Sequence, residues 1–278
     1  MKKVLVLLFV LSGMLSVFAG EIVVKDGEKI AFLGDSITQL GAGKRIYMGY
    51  LPLVIEGLKE AGVKASMVPA GISGNKSNQM LARVDKDVIA KKPQWMLLSC
   101  GVNDVAHGKN GVLLPDYKKN ITQIVDKAQA AGIKVVIMTA SMIREDAKNK
   151  ANTALKPYND FLRELAEEKK CLLADINKEM QQEVASPELA VIKGNKLTYD
   201  GVHMNGRGHA MMAEVILKTF GVPEEKVKAM RRNWEEKYPE ARLPLPLTKD
   251  LNRKLHIKAA EKKMTPEAYV LKLLSEDK

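Results

Sequence analysis

An α/β fold, with a parallel sheet covered by helices on both faces, is what this sequence of 278 residues predicts. Three observations carry that expectation. Short apolar runs bounded by glycine or proline alternate along the chain with longer stretches of helical periodicity, the pattern of repeated β-α-β units. One run, Trp95 to Cys100, is apolar until Ser99, as suits a strand buried on both faces. The segments that follow several runs are rich in Gly, Ser, Asn and Asp, the residues wanted where an open α/β sheet binds its ligands.

In chain order, Lys2 and Lys3 precede an apolar run from Val4 to Phe18, and Val17-Phe18-Ala19 offers small residues to a signal peptidase. Residues 1–19 are therefore expected to be an export signal, and the protein to be secreted or periplasmic. About fifteen apolar residues are short for a membrane span. No later run is long enough to cross a bilayer, so no stable membrane insertion is expected after removal of the signal. Lys29 to Leu33 reads as a short buried strand that Gly34 stops, placing Ser36 on the loop at its carboxyl end. A helix follows from Tyr50 to Ala61, closed by Gly62, and Ala65 to Pro69 forms a second strand running into Gly71-Ile72-Ser73-Gly74-Asn75.

Met80, Leu81, Val84, Val88 and Ile89 give Ser77 to Lys91 a helical stripe, which Pro93 ends before the strand at Trp95. Tyr117 to Ala131 is a helix closed by Gly132, Val135 to Thr139 a fourth strand, Leu155 to Lys169 a helix and Leu172 to Ile176 a fifth strand. A helix from Gly208 to Phe220 completes the unit. Strand order is not legible from this pattern. Residues 20–221 are expected to form one α/β domain, and the chain as a whole, 46% hydrophobic, can supply a sizeable core.

The formal net charge of +11 falls by two lysines with the signal and stays basic. Lysines interspersed with acids along helices mark solvated faces, so an acidic polymer is a compatible neighbour and nucleic acid is not an expected partner. Cys100 and Cys171 end and begin different strands, too far apart to bridge, and both read as small core residues. No spacing of Cys and His fits zinc and no acidic loop fits calcium, so neither metal nor cofactor is implied.

The chemistry gathers at four stretches. A serine hydroxyl needs a base within hydrogen-bond reach and a third group to orient that base. Ser36, His203 and Asp200 supply the set, two residues separating acid from imidazole. Donors for an oxyanion are available in the Ser36 amide, the Gly74 amide and the Asn103 side chain. At these residues the chain resembles the SGNH, or GDSL, hydrolase family. Gly34-Asp35-Ser36 matches its serine block, Gly74 its glycine block, Gly101-Val102-Asn103-Asp104 its asparagine block and Asp200-Gly201-Val202-His203 its terminal block, in the family's order. The resemblance spans about Lys29 to Phe220. It implies a three-layer α/β/α sandwich with a five-stranded flavodoxin-like sheet, and a serine esterase with Ser36, His203 and Asp200 as catalytic residues and Ser36, Gly74 and Asn103 as oxyanion hole. Met204 departs from the proline many members carry there, which leaves the shape of that loop open.

Among the remaining polar residues, Asp35 and Asp104 are expected to bond nearby backbone, and His209 to be structural. Ser73 has no base near it in sequence. His107 is the tentative substrate contact, and Arg45 and Tyr47 are further candidates to shape the pocket. Beyond Gly221 the composition shifts. Residues 222–278 read as a helical extension: a charged helix from Pro223 to Tyr238, an extended segment Leu243 to Leu247, and helices from Lys249 to Lys263 and Pro266 to Ser275, with Thr248 and Thr265 as caps. Its apolar stripes suit packing on the enzyme or on a second copy, hence a possible homodimer.

The expected function is an exported esterase removing short acyl groups, acetyl above all, from carbohydrate. The alternatives are a lysophospholipase or thioesterase acting on longer chains, and a non-catalytic glycan-binding protein with a silent triad.

Overall fold

The computed structural model describes residues 21–43, 49–190, 192, 194–237, 249–264, 269–270 and 272–273. The expected signal, Arg45, Tyr47, the extended segment at 243–247 and the caps Thr248 and Thr265 lie outside the described residues.

Five strands form one sheet: β1 (Lys29–Gly34), β2 (Ser66–Gly71), β3 (Trp95–Ser99), β4 (Lys134–Met138) and β5 (Leu172–Ala174). All neighbours are parallel and the order is β2-β1-β3-β4-β5, the flavodoxin-like arrangement. Chain direction across the sheet reverses between β1 and β3. The connections leaving these two central strands diverge there, which opens a crevice at their carboxyl ends. Register aligns Leu33 with Leu98 and Gly34 with Gly71, so the residues after both glycines meet at one rim. Ile30 to Leu33 and Trp95 to Ser99 are buried, as strands covered on both faces must be.

The helices are α1 (Ser36–Leu40), α2 (Tyr50–Glu60), α3 (Ser77–Asp87), α4 (Val102–Ala106), α5 (Leu114–Ala130), α6 (Lys150–Glu168), α7 (Ile176–Val184), α8 (Pro187–Ala190), α9 (Gly206–Thr219), α10 (Glu224–Lys237) and α11 (Lys249–Glu261). α3, α5 and α6 pack side by side on one face of the sheet, and α2 against α9 on the other. With the sheet between them these make the three layers. No helix of the described residues is long and apolar enough to cross a membrane.

Differences from the sequence pattern trace to capping side chains. Ser36 is not on a free loop: Asp35 accepts the Ile37 amide at 2.9 Å and starts α1 at the serine itself. Likewise Asp175 caps α7, accepting the Lys178 amide, and so ends β5 at Ala174 rather than Ile176. Asn149 caps α6, which begins five residues before Leu155 and runs through Pro157. Cys100 follows β3 in the core, whereas Cys171, ahead of the edge strand β5, is only half-buried; both thiols are free.

α10 is joined to the layer below it. Trp234 is completely buried, and Arg231, in the preceding turn, pairs with Glu214 of α9 at 3.0 Å and Glu183 of α7 at 3.2 Å. Arg207 of α9 shares Glu183 at 2.8 Å. Further on, α11 brings His256 edge-on to Tyr199, with ring centroids 5.7 Å apart. The last expected helix is helical at 269–270 and 272–273, the residues of it that are described.

Candidate active site

Ser36 and His203 are far apart in sequence, yet Ser36 Oγ lies 2.8 Å from His203 Nε2. The other ring nitrogen, Nδ1, lies 2.8 Å from Asp200 Oδ2. A carboxylate can only accept, so Nδ1 carries the proton and Nε2 is left as the acceptor of the serine hydroxyl. The second Asp200 oxygen accepts the backbone amides of Val202 and His203, at 3.0 and 2.9 Å. The acid is therefore fixed by its own loop as well as by the imidazole.

Burial opposes ionisation of Asp200, but the imidazole and the two amides outweigh it and hold the carboxyl well below its usual range. The bond from Asp200 raises the His203 pKa against the cost of burial, and the charges of Asp200 and Asp35 add to the rise. Burial pushes the Asp35 carboxyl up to about 6, against the Ile37 amide and the attraction of a charged His203. The arrangement is a serine with an oriented base, the elements of nucleophilic acyl transfer.

The glycine stretch is moored to α1. Ile72 donates to the Gly34 carbonyl, and both the amide and hydroxyl of Ser73 donate to Gln39 Oε1, at 2.8 and 2.6 Å. The Ser73 hydroxyl is thus spent on an amide and has no base. Gly74 is exposed, and its φ of +75° favours glycine. Asn103 sits in α4 across the crevice. Its Nδ2 donates to the Asn75 carbonyl at 3.1 Å and to Asp35 Oδ2 at 3.3 Å, linking the asparagine stretch to the other two.

Arg83, which sequence inspection passes over, ties this rim together. Its guanidinium donates to the carbonyls of Gly34 and Ala70, at the ends of β1 and β2, each at 2.8 Å. It also reaches Asn75 Oδ1 at 2.7 Å and Asp87 at 3.1 Å. In sequence it is one more polar residue on an amphipathic helix, and no spacing marks it.

Other candidates resolve by position. Asp104 accepts the Ser77 amide at 2.9 Å and the Cys100 thiol, a supporting role. His107 caps the end of α4, exposed, its amide bonded to the Asn103 carbonyl. His209 is buried and stacked on Tyr50, and burial depresses its pKa to about 3. Met204 does not open its loop: Tyr199 N bonds His203 O and Asn205 N bonds Leu197 O, closing an antiparallel bridge between Thr198 and Met204.

Among known proteins the chain is similar to an acetylxylan esterase of Geobacillus stearothermophilus, 28% identical over 214 residues that cover 70% of this chain and 94% of that one. A second relative is an isoamyl acetate-hydrolyzing esterase of Saccharomyces cerevisiae, 25% identical, covering 70% of this chain and 87% of the relative. A crystal structure of the Geobacillus enzyme superposes with a TM-score of 0.64 at 26% identity, covering 73% of this chain and 98% of that one. Fold and relatives together define a carboxylic ester hydrolase of α/β/α architecture. The chain belongs to the GDSL-like Lipase/Acylhydrolase family, whose model matches residues 32–211, a span that contains Ser36, Gly74, Asn103, Asp200 and His203.

Proposed function

We propose that this hydrolase is an exported serine esterase that removes short acyl groups, acetyl above all, from carbohydrate. The observation that carries the chemistry is the unbroken chain from Ser36 Oγ through His203 to Asp200, with bonds of 2.8 Å at both steps. His203 Nε2 takes the proton as Ser36 Oγ attacks the ester carbon, and Asp200 stabilises the imidazolium that forms. The negative oxygen of the tetrahedral intermediate is met by the amides of Ser36 and Gly74 and the side chain of Asn103. The imidazolium then gives its proton to the departing alcohol, and a water, deprotonated by the same nitrogen, hydrolyses the acyl-enzyme.

Supporting the acetyl-carbohydrate substrate is the similarity to an acetylxylan esterase. Structures of that esterase include catalytic mutants at a serine, an aspartate and a histidine, the last two three positions apart like Asp200 and His203. The open rim suits a polymer: the side chains of His203 and Asp200 are 31% and 51% exposed. Export rests on the sequence of residues 1–19. His107, exposed one helical turn beyond Asn103, is a candidate contact for the sugar. The 222–278 extension is proposed to promote homodimerisation.

The test is hydrolysis of 4-nitrophenyl esters from acetate to decanoate, with acetate release from acetylated xylan, by the mature chain and by Ser36→Ala. Fast cleavage of acetate alone, abolished in the variant, is the expected result. A preference for long chains would move the substrate to lipids, and turnover surviving Ser36→Ala would remove the mechanism.

A further inference from the structure

The loop carrying Asp200 and His203 orients the acid through its own amides, but the loop itself has to be held in place. The segment after β4 holds it. Arg144 and Glu145 are consecutive non-glycine residues with positive φ, 62° and 45°, a conformation that side-chain-bearing residues adopt at a cost. Two such residues in succession persist only where surrounding bonds fix them. Here Arg144 and Glu145 themselves are bonded to the Asp200 loop. Glu145 Oε2 accepts the Lys196 amide at 2.6 Å, while Oε1 accepts the Leu197 amide at 2.9 Å and the Thr198 hydroxyl at 2.5 Å. Thr198 Oγ1 in turn accepts the Gly201 amide at 3.1 Å, and the Arg144 amide donates to the Gly201 carbonyl at 2.5 Å. Gly201, between the acid and the base, has a φ of +92°, and a Cβ there would stand 3.1 Å from Arg144 Cα.

The clamp is itself anchored. Asn152 accepts the Ile143 amide and donates to the carbonyls of Ile143 and Asp146, and Asn149 donates to the Ile143 carbonyl while capping α6. A continuous path therefore runs from the first turn of α6 through Glu145 and Thr198 to Gly201.

We propose that Glu145 is a positioning residue for the ester hydrolysis: its carboxylate fixes the 196–201 turn so that Asp200 stays in register with His203. The proposal rests on the assignment of Asp200 and His203 as the catalytic acid and base. Misplacing a reacting group by an ångström costs up to about 100-fold in rate. Glu145→Gln keeps the size and one acceptor oxygen but turns an NH2 toward backbone donors.

With 4-nitrophenyl acetate, Glu145→Gln is expected to lower kcat by roughly 10- to 100-fold with KM little changed. The acid limb of its kcat–pH profile should move to lower pH, because His203 loses part of the Asp200 bond that raises its pKa. Proton NMR of the His203 ring should show the Nδ1–H resonance moving upfield. Glu145→Asp should recover part of the rate. Should Glu145→Gln not fold, Thr198→Val breaks the same path, with an expected loss of about tenfold. A folded variant with unchanged kcat and unchanged acid limb would overturn the proposal, as would a loss in proportion to the unfolded fraction alone. His203→Ala, measured in parallel, separates the two assignments: if it retains activity, the catalytic reading has failed, whereas an inactive His203→Ala beside a fully active Glu145→Gln refutes the role of Glu145 alone.

Discussion

Nδ2 of Asn103 donates to Oδ2 of Asp35 across 3.3 Å, so the side chain proposed for the oxyanion is, at rest, bound to the residue before Ser36. That contact is long for an N–H···O bond and is the easier of the two Asn103 bonds to exchange when an oxyanion forms. Asn103→Ala is therefore expected to lower kcat by about 10²- to 10³-fold with KM within a few-fold of the parent. Steady-state kinetics on 4-nitrophenyl acetate check this, and a loss confined to KM would remove Asn103 from the oxyanion hole.

Asp35 has a folded pKa of about 6 against an ordinary value near 3.8. The native state thus binds its proton more tightly than the unfolded chain. The stability it contributes is full below about pH 4 and is lost as pH rises through 6. Asp35→Asn, which still caps α1 but turns its NH2 toward Asn103 Nδ2, should remove that slope. Urea unfolding from pH 4 to 8 measures it. Because the Asp35 charge also supports the His203 imidazolium, the acid limb of the rate profile should move to lower pH in the same variant.

In the proposed mechanism the base must be neutral to accept the serine proton. The His203 pKa is raised above 6.5, so kcat/KM is expected to rise with pH through a value above 6.5. Asp200→Asn should lower kcat by about 10⁴-fold by releasing the imidazole tautomer. A pH–rate profile with no acid limb would contradict the assignment of His203.

Arg83 satisfies two strand-end carbonyls and the Asn75 side chain with one guanidinium. Arg83→Lys keeps the charge but cannot span the fork, and Arg83→Ala takes the guanidinium from the Ala70 carbonyl and Asn75 Oδ1 and leaves Gly34 O with the Ile72 amide, at an expected cost of about 1–3 kcal/mol. Both variants should also lose rate, since the Gly74 loop is tied through Asn75. Thermal denaturation and kinetics on the same preparations test the pair.

A chain ending at Gly221 loses Trp234 from the core and Arg231 from Glu214, at an expected cost of about 3–5 kcal/mol. One ending at Lys237 keeps both and loses only the residues after α10, including the contact of His256 with Tyr199. The second truncation is expected to stay folded. Its sedimentation beside the untruncated chain tests the proposed dimer: an unchanged number of subunits would remove the later part of the extension from any interface.

Much of the fold was legible beforehand because it depends on local sequence. Apolar runs such as Ile30 to Leu33 and Trp95 to Leu98 cannot be solvated, so they had to become buried strands. Gly74, Asn103, Asp200 and His203 are marked by residue type and order. Helix starts were missed where a single cap decides them, as Asp35, Asn149 and Asp175 do, since the same residues in other settings make turns.

By itself the sequence determined the alternation of strands and helices, the family, and the four stretches that make up the candidate site. It did so because burial and backbone freedom act within a few residues of their cause. Only the tertiary structure decided the strand order that puts β1 beside β3, the 2.8 Å approach of Ser36 to His203, and the contacts of Arg83 and Glu145. These depend on hydrogen bonds between segments distant in sequence. Arg83 meets Gly34, and Glu145 meets Lys196, only because the sheet and its loops bring them together, and nothing in the spacing of the residues records the meeting.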